Sequence, residues 1–239
     1  MMRFNEAMKA EKIRELVQFH QVSLSFNHHD VLANMSFTLK AGSKLALLGQ
    51  SGLGKSSILK LIAGLVAPTQ GQVVNHAQRI GYVFQEPRLL PWLTVQENIY
   101  QVLKASGVAK REAEQRIKAL LAQVGLLACI NHYPHQLSGG MAQRVALVRA
   151  FAVKPDLLLL DEPFSALDTP LASQLTELLA KLLTPQTSMI YVSHNIEQVL
   201  PLTELALVLK TGNDLDWHSV ANKEERAIFL NQFYRHEVY

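Results

Sequence analysis

Residues 44–65 read KLALLGQSGLGKSSILKLIAGL, and this stretch decides the fold class. The apolar run at 44–48 predicts a short buried strand, and residues 56–65 predict an apolar helix. Between them, Gly49 to Ser56 matches the pattern Gly-x-x-x-x-Gly-Lys-Ser, in the strand–turn–helix context that identifies a phosphate-binding loop. An ordinary glycine-rich turn is the alternative interpretation, which this context disfavours.

The residue types of this loop suit phosphate binding. Glycines let the backbone turn tightly, so that successive N–H groups point towards phosphate oxygens, and the helix N-terminus adds a favourable dipole. Lys55 supplies a positive charge for the β- and γ-phosphates, and the Ser56 hydroxyl is a candidate ligand for Mg²⁺. The predicted nucleotide-binding residues of the loop are Gly49, Ser51, Gly52, Gly54, Lys55, Ser56 and Ser57.

A second motif supplies two carboxylates. Residues 157–163 read LLLLDEP, and a leucine run without alternation is typical of a parallel strand that is buried on both faces. Asp161 and Glu162 follow at the C-terminal end of that strand, where open α/β sheets bind their ligands. We predict that Asp161 holds Mg²⁺ and that Glu162 polarises an attacking water. Considered by itself, the motif is also compatible with an acidic surface turn.

The remaining sequence predicts an α/β domain with a helical insertion. Residues 16–40 alternate and are interrupted at 27–30, which indicates a hairpin of two strands. Thr94 and Glu97 have the spacing of a capping box, which predicts that a helix begins there. We therefore predict one domain over 1–239, with a nucleotide-binding α/β core (16–89 and 137–212), a helical subdomain (90–136) and a short C-terminal tail (213–239).

A second candidate anion site lies in residues 137–150, which read LSGGMAQRVALVRA. Ser138 is placed as an N-cap, and Gly139 and Gly140 expose backbone N–H groups at the start of a helix. A plain capped helix is the alternative. Together with the two phosphate motifs, however, this string resembles the signature motif of ATP-binding cassette (ABC) ATPases.

The resemblance to that family runs from about Val17 to Leu209 and implies further site residues. The additional matches are Phe26 (the aromatic residue that stacks on adenine), Gln85 (the Q-loop glutamine), Asp168 (the last residue of the D-loop) and His194 (the switch histidine). The resemblance implies that Gln85 and His194 act in catalysis with Glu162, and that Gln85 is also a metal ligand. It places Ser138, Gly139, Gly140 and Asp168 among the nucleotide-binding residues.

The family also implies a fold and a set of partners. The expected fold is a P-loop NTPase core with a parallel central sheet, an N-terminal antiparallel β subdomain and a helical insert. The expected cofactors are ATP and Mg²⁺. The expected partners are a second cassette, most simply another copy of this chain, the transmembrane permease subunits and, indirectly, a solute-binding protein. The signature loop of one cassette is expected to cover the ATP bound by the other.

A narrower resemblance concerns residues 83–99, VFQEPRLLPWLTVQENI. This segment is similar to ATPases of importers for nitrate, sulfonates, taurine and related small solutes, and also to those for a pyrimidine precursor of thiamine. The apolar loop at 86–93, which contains Trp92, is either part of the core or a docking patch for the membrane subunits.

Four residues depart from the usual family pattern. They are Ser57, Met141, Asn195 and Pro201. A methionine at 141 replaces the usual signature glutamine and lacks its hydrogen-bonding capacity. Pro201 falls in a helix that most relatives continue, so the geometry after His194 is expected to differ.

The composition favours a cytoplasmic protein. The formal charge is only +3, without a Lys/Arg-rich block, which argues against nucleic-acid binding. The single cysteine, Cys129, excludes an internal disulfide. No run approaches the roughly 20 apolar residues of a membrane span, and the first 16 residues lack the apolar stretch of a signal peptide. We expect a cytoplasmic chain that reaches the inner face of the membrane through its partners.

Three other classes compete with a transporter ATPase. A soluble ABC ATPase of translation or DNA repair usually has two cassettes or a long coiled-coil insert, and neither is present. A P-loop kinase needs no signature loop, and a GTPase would carry an Asn-Lys-x-Asp motif, which the chain lacks. A degenerate regulatory cassette would have lost Lys55 or Glu162, and both are present.

Overall fold

The computed structural model describes residues 14–27, 29–212 and 214–236. The strands are β1 (Glu15–Phe26), β2 (His29–Lys40), β3 (Lys44–Leu48), β4 (Gln70–Asn75), β5 (Ile80–Val83), β6 (Leu157–Asp161), β7 (Ser188–Val192), β8 (Leu205–Leu209) and β9 (Leu215–Ser219). The α-helices are α1 (Lys55–Ile62), α2 (Val95–Ala105), α3 (Lys110–Gln123), α4 (Gly139–Ala152), α5 (Thr169–Leu182), α6 (Ile196–Val199) and α7 (Lys223–His236). The first residues of the chain and His28 of the predicted hairpin turn lie outside the described residues.

The N-terminal strands form a small antiparallel sheet in the order β2-β1-β4. The hairpin of β1 and β2 was predicted and is confirmed, with Phe19 stacked on Phe37 at a centroid distance of 4.4 Å. Strand β4 was not predicted, because its sequence QGQVVN is polar and partly exposed. A Cβ at Gly71 would lie 2.2 Å from the carbonyl oxygen of Gln21, so only glycine allows β4 to approach β1 this closely.

The main sheet has the order β5-β6-β7-β3-β8-β9 in the described residues. The strands from β5 to β8 pair in parallel, as predicted for the central sheet, and β9 adds antiparallel to β8. Every residue of β6 is buried, which agrees with its lack of alternation. Parallel pairing brings the C-terminal ends of β3 and β6 to one edge of the sheet. The phosphate loop and the two carboxylates therefore leave the sheet on the same side.

The segment predicted as a C-terminal tail contributes to the core. Strand β9 extends the main sheet, and Val220, Phe229 and Phe233 are buried in an apolar cluster with residues of α4, α5 and β6. The core therefore continues beyond residue 212, the predicted boundary. The sequence LDWHS of β9 has a weak strand pattern, and pairing with the apolar strand β8 determines its conformation.

The middle of the chain is helical, as predicted. Thr94 caps α2 in a complete capping box: the Glu97 N–H donates to Thr94 Oγ1 at 3.3 Å, and the Thr94 N–H donates to Glu97 Oε2 at 2.8 Å. These hydrogen bonds lower the pKa of Glu97. Helices α2 and α3 pack against α4 through a cluster that includes Leu121 and Val148. In the described part of the chain, no helix is both long enough and apolar enough to cross a bilayer.

Candidate nucleotide site

The backbone of the phosphate loop requires glycine at two positions. Gly49 has φ +135°, and a Cβ there would lie 2.4 Å from the carbonyl oxygen of Leu209 on β8. Gly54 has φ +89°, and its Cβ would meet Leu32 Cδ2 at 2.7 Å. Both residues therefore combine a left-handed conformation with a close neighbour that excludes a side chain. Gly52 has φ +85°, which also favours glycine, but it has no close neighbour of this kind.

Lys55 lies inside this loop and is only 5% exposed. Its ammonium group donates to the carbonyl oxygens of Gly49, at 2.7 Å, and of Gln50, at 2.6 Å. Gly54, in the left-handed conformation, is the N-cap residue that precedes helix α1, and no side chain of the described residues caps the helix. The loop thus combines a buried cation with first-turn N–H groups that are not engaged by a side-chain cap, which is an arrangement suited to an anion.

Two of the three residues predicted to hold Mg²⁺, Ser56 and Asp161, are in contact. Ser56 Oγ donates to Asp161 Oδ1 at 2.7 Å, although 105 positions separate the two residues. Asp161 is buried at the end of β6, and Ser56 lies in the first turn of α1. A hydroxyl and a carboxylate are hard oxygen ligands of the kind that Mg²⁺ prefers beside nucleotide phosphates. The donor set therefore fits Mg²⁺.

Glu162 and His194 also meet. His194 Nε2 lies 2.7 Å from Glu162 Oε1, and the carboxylate is 16% exposed while the imidazole is 48% exposed. Glu162 has φ +47°, an unusual value for a residue with a side chain, and its N–H donates to the Val192 carbonyl at 2.9 Å. Backbone strain next to a paired carboxylate is typical of functional sites.

Gln85, the predicted Q-loop glutamine, forms its side-chain hydrogen bond with Ser165. Gln85 Nε2 donates to Ser165 Oγ at 3.3 Å, and that hydroxyl donates to the Glu162 carbonyl oxygen at 3.1 Å. Ser165 is the first residue of the predicted D-loop, 165–168, so Gln85 is connected to that loop. In the described residues its amide forms no hydrogen bond with Ser56 or Asp161, so its metal-ligand role stays a prediction.

The signature residues lie at the start of α4. Ser138 accepts a hydrogen bond from the Met141 N–H at 3.3 Å, which confirms its N-cap position. A Cβ on Gly140 would lie 2.5 Å from Leu171 Cδ2 on α5, whereas apart from the chain neighbours and the backbone of α4 itself, no described atom lies within 4 Å of the corresponding position on Gly139. In the described residues, hydrogen bonds do not connect Ser138 to Ser56, Asp161 or Glu162.

The remaining predicted residues occupy separate positions. Phe26 ends β1 and is half-exposed, and Asp168 caps α5 by accepting from the Leu171 N–H at 2.9 Å. Asn195 caps the short helix α6, which passes into a 3-10 turn at Leu200–Leu202 that contains Pro201. The α-helix thus ends at Val199, two residues before the proline.

One residue of the site was missed. Tyr82 on β5 donates its hydroxyl to Asp161 Oδ2 at 3.2 Å. Burial, together with the nearby Asp161 carboxylate, raises the pKa of the Tyr82 hydroxyl, which therefore stays protonated. A tyrosine in a buried strand is a signal, because its hydroxyl needs a polar partner, but the sequence does not identify that partner.

Comparison with known proteins agrees with this geometry. The family model described as "ABC transporter" matches residues 32–165. An aliphatic sulfonates import ATP-binding protein of Pseudomonas syringae pv. tomato is 39% identical over 188 residues, which cover 77% of this chain and 78% of that protein. A sulfate/thiosulfate import ATP-binding protein of Halalkalibacterium halodurans is 38% identical over 211 residues, covering 82% of this chain but only 59% of that longer protein.

The fold is shared with a solved dimeric ATP-binding cassette in a post-hydrolysis state, bound to ADP and Pi. The TM-score is 0.76 at 29% identity, and the match covers 87% of this chain and 100% of that one. The sequence motifs, the two side-chain pairs at the edge of the sheet and the matched family model lead to the same conclusion. The chain belongs to the ABC transporter family, as an ATPase with the ATP-binding cassette fold.

Proposed function

We propose that the chain is the ATP-hydrolysing subunit of an importer for a small solute of the sulfonate, nitrate or taurine type, or for a pyrimidine precursor of thiamine. The observation that carries the proposal is the meeting of Ser56 with Asp161, and of Glu162 with His194, beside the phosphate loop. The sulfonate-importer relative and the segment 83–99 support the solute class.

The proposed chemistry assigns a role to each pair. Lys55 and the loop amides bind the β- and γ-phosphates of ATP, and Ser56 and Asp161 hold Mg²⁺. When bound, Mg²⁺ neutralises part of the charge on the phosphates. Glu162 orients and polarises the attacking water, and His194, within hydrogen-bond distance of Glu162, fixes the carboxylate. Phe26, half-exposed, stacks on the adenine.

The active unit is proposed to be a dimer. Ser138 and Gly139 present a second anion-binding helix start, and the open space around Gly139 leaves room for a phosphate of an ATP held by another copy. A dimeric cassette among the structural relatives supports this arrangement. Differential affinity of ATP for the closed dimer would then drive movement of the membrane subunits.

The test of the shared site is a mixed dimer of Lys55→Ala and Ser138→Arg chains, separated by different tags. The two homodimers should hydrolyse no ATP, whereas the heterodimer keeps one intact composite site and should recover part of the rate. Ser106→Arg, at an exposed position after α2, is the matched control and should stay active. A fully active Ser138→Arg homodimer would refute the proposal.

The loop 86–93 is the proposed docking surface for the membrane subunits. Trp92 is 69% exposed, so it does not belong to the core. The loop beneath it is fixed: Asn98 exchanges hydrogen bonds with the backbone of Leu90 at 2.7 and 3.1 Å, and Arg149 donates to the carbonyl of Arg88 at 2.8 Å. A rigid loop that presents an exposed tryptophan is suited to anchor a partner helix.

Trp92→Ala is expected to separate docking from ATP binding. The change should weaken capture of the permease subunits by about 2 kcal/mol or more, because exposed aromatic anchors dominate such interfaces. The melting temperature and the nucleotide affinity of the isolated chain should not change. Leu65→Ala, at another exposed apolar position, is the control. Normal capture by Trp92→Ala would exclude this loop as the docking surface.

A further inference from the structure

Both oxygens of the Asp161 carboxylate are held by side chains from other elements. Ser56 donates to Oδ1 at 2.7 Å, and Tyr82 donates to Oδ2 at 3.2 Å. Two donors on opposite oxygens fix the rotation of a carboxylate about its last bond. Mg²⁺ demands near-ideal octahedral geometry, so the orientation of a carboxylate beside it matters more than for a larger cation.

The ring of Tyr82 continues this arrangement towards the surface. It stacks on Phe84 at a centroid distance of 4.0 Å and an interplanar angle of 19°, and the guanidinium of Arg88 lies 4.3 Å from the Phe84 centroid. Arg88 has φ +45°, and its carbonyl is held by Arg149 at 2.8 Å. The contacts therefore run without a gap from Asp161 to the loop 86–93.

We propose that Tyr82 is a positioning residue, which orients the Asp161 carboxylate for Mg²⁺ and connects it through Phe84 and Arg88 to the loop 86–93. The inference rests on the proposed function and adds to it a physical path between the metal site and the docking surface. A core tyrosine with an incidental hydrogen bond is the competing explanation. That explanation predicts effects on folding but none on metal affinity.

The test is Tyr82→Phe, which keeps the ring stack and removes the hydroxyl. Mn²⁺ titrations followed by electron paramagnetic resonance, in the presence of ATP and in a Glu162→Gln background that prevents turnover, give the midpoint of metal binding. Loss of the hydrogen bond from Tyr82 to the metal-binding carboxylate should raise the Mn²⁺ midpoint about 10-fold, at the low end of the usual range of about 10- to 100-fold for residues that support a metal ligand. Tyr100→Phe, on α2 and away from the site, is the matched control.

A folding defect cannot imitate this result, because unfolded molecules reduce the number of sites and leave the midpoint unchanged. A Tyr82→Phe midpoint within twofold of the Tyr100→Phe value overturns the proposal. The measurement does not depend on hydrolysis or transport, so a failure of the proposed importer function would leave the shift in midpoint intact. The two failures are therefore distinguishable.

Arg88→Ala tests the connection to the loop. It leaves the Tyr82 hydroxyl in place but removes the contact with Phe84, and it should raise the Mn²⁺ midpoint by about 3-fold. In the Tyr82→Phe background the same change should add less than this, because residues in one network are not additive. An unchanged midpoint for Arg88→Ala, or full additivity with Tyr82→Phe, overturns the connection between the metal site and the loop.

Discussion

Two helices of this protein have glycines at their N-terminal ends and face an anion in the proposed mechanism, yet they are built differently. Gly54 precedes helix α1 in a left-handed conformation, and no described side chain caps the helix. Ser138 precedes helix α4 in an extended conformation, and its hydroxyl caps the helix by accepting a hydrogen bond from the Met141 N–H at 3.3 Å. The first leaves its N–H groups to a ligand, and the second uses its serine for its own stability.

The surroundings of the two helix starts differ as well. The phosphate loop is enclosed by its own chain, with Lys55 buried and Ser56 bound to Asp161. Around Gly139, by contrast, the described atoms leave the position of a Cβ open. The first site is thus assembled by the fold of one chain, whereas the second is an exposed surface that a second copy completes only in the proposed dimer. Substitutions at the two helix starts and at the carboxylate beside the first one test this difference.

The largest effect is expected at the carboxylate beside the phosphate loop. Glu162→Gln keeps the shape of the side chain and removes its basicity, so hydrolysis should slow by about 10²- to 10⁴-fold. Phosphate release measures the rate, and calorimetry should show unchanged ATP binding. Glu177→Gln, on the exposed face of α5, is the control. A variant with a near-normal rate would show that the general base lies elsewhere.

Lys55→Ala should weaken ATP binding. A hydrogen bond from a charged donor contributes about 1.5–3 kcal/mol, so the affinity should fall by about one to two orders of magnitude. Lys60→Ala, in the last turn of the same helix, should bind ATP normally. Calorimetry decides between the two outcomes. Unchanged affinity in Lys55→Ala would remove the reason for calling the loop a self-contained phosphate site.

Alanine substitutions at the two signature glycines should have different effects: Gly140→Ala should lower stability, and Gly139→Ala should lower hydrolysis. Gly140→Ala places a methyl group 2.5 Å from Leu171 Cδ2, so the leucine side chain must shift, and this variant should be less stable than Gly139→Ala. Adding Leu171→Ala should restore the melting temperature. Gly139→Ala has open space, so it should fold normally but lose hydrolysis if a phosphate must approach its backbone. Equal loss of stability in both alanine variants would contradict the description of Gly139 as surface.

The smallest effect is expected for the cap itself. Ser138→Ala should cost about 1 kcal/mol of stability, because the Met141 N–H loses its acceptor. For a chain of this size that corresponds to about 2–4 °C in melting temperature. Ser138→Asn retains an acceptor and should melt like the wild type. If Ser138→Ala also melts normally, the serine serves only the partner's nucleotide.

Much of the fold followed from short-range patterns. The leucine run of β6 predicted a buried parallel strand, and Thr94 with Glu97 predicted the start of α2, because burial and capping depend on neighbouring residues. Strand β4 and the C-terminal β9 and α7 were missed. Their sequences carry weak patterns, and their conformation depends on pairing or packing with elements distant in sequence.

For the candidate site, too, the sequence predicted one part and the tertiary structure supplied the other. The sequence by itself determined which residues are the candidates for the chemistry, since a glycine-rich turn, a lysine at a helix start and carboxylates after a buried strand are local patterns. Only the tertiary structure decided which of them touch. It joined Ser56 to Asp161 across 105 positions, placed Tyr82 on the same carboxylate and directed Gln85 to Ser165. The physical reason is that strand order and register set these distances, and both arise from the packing of the whole sheet.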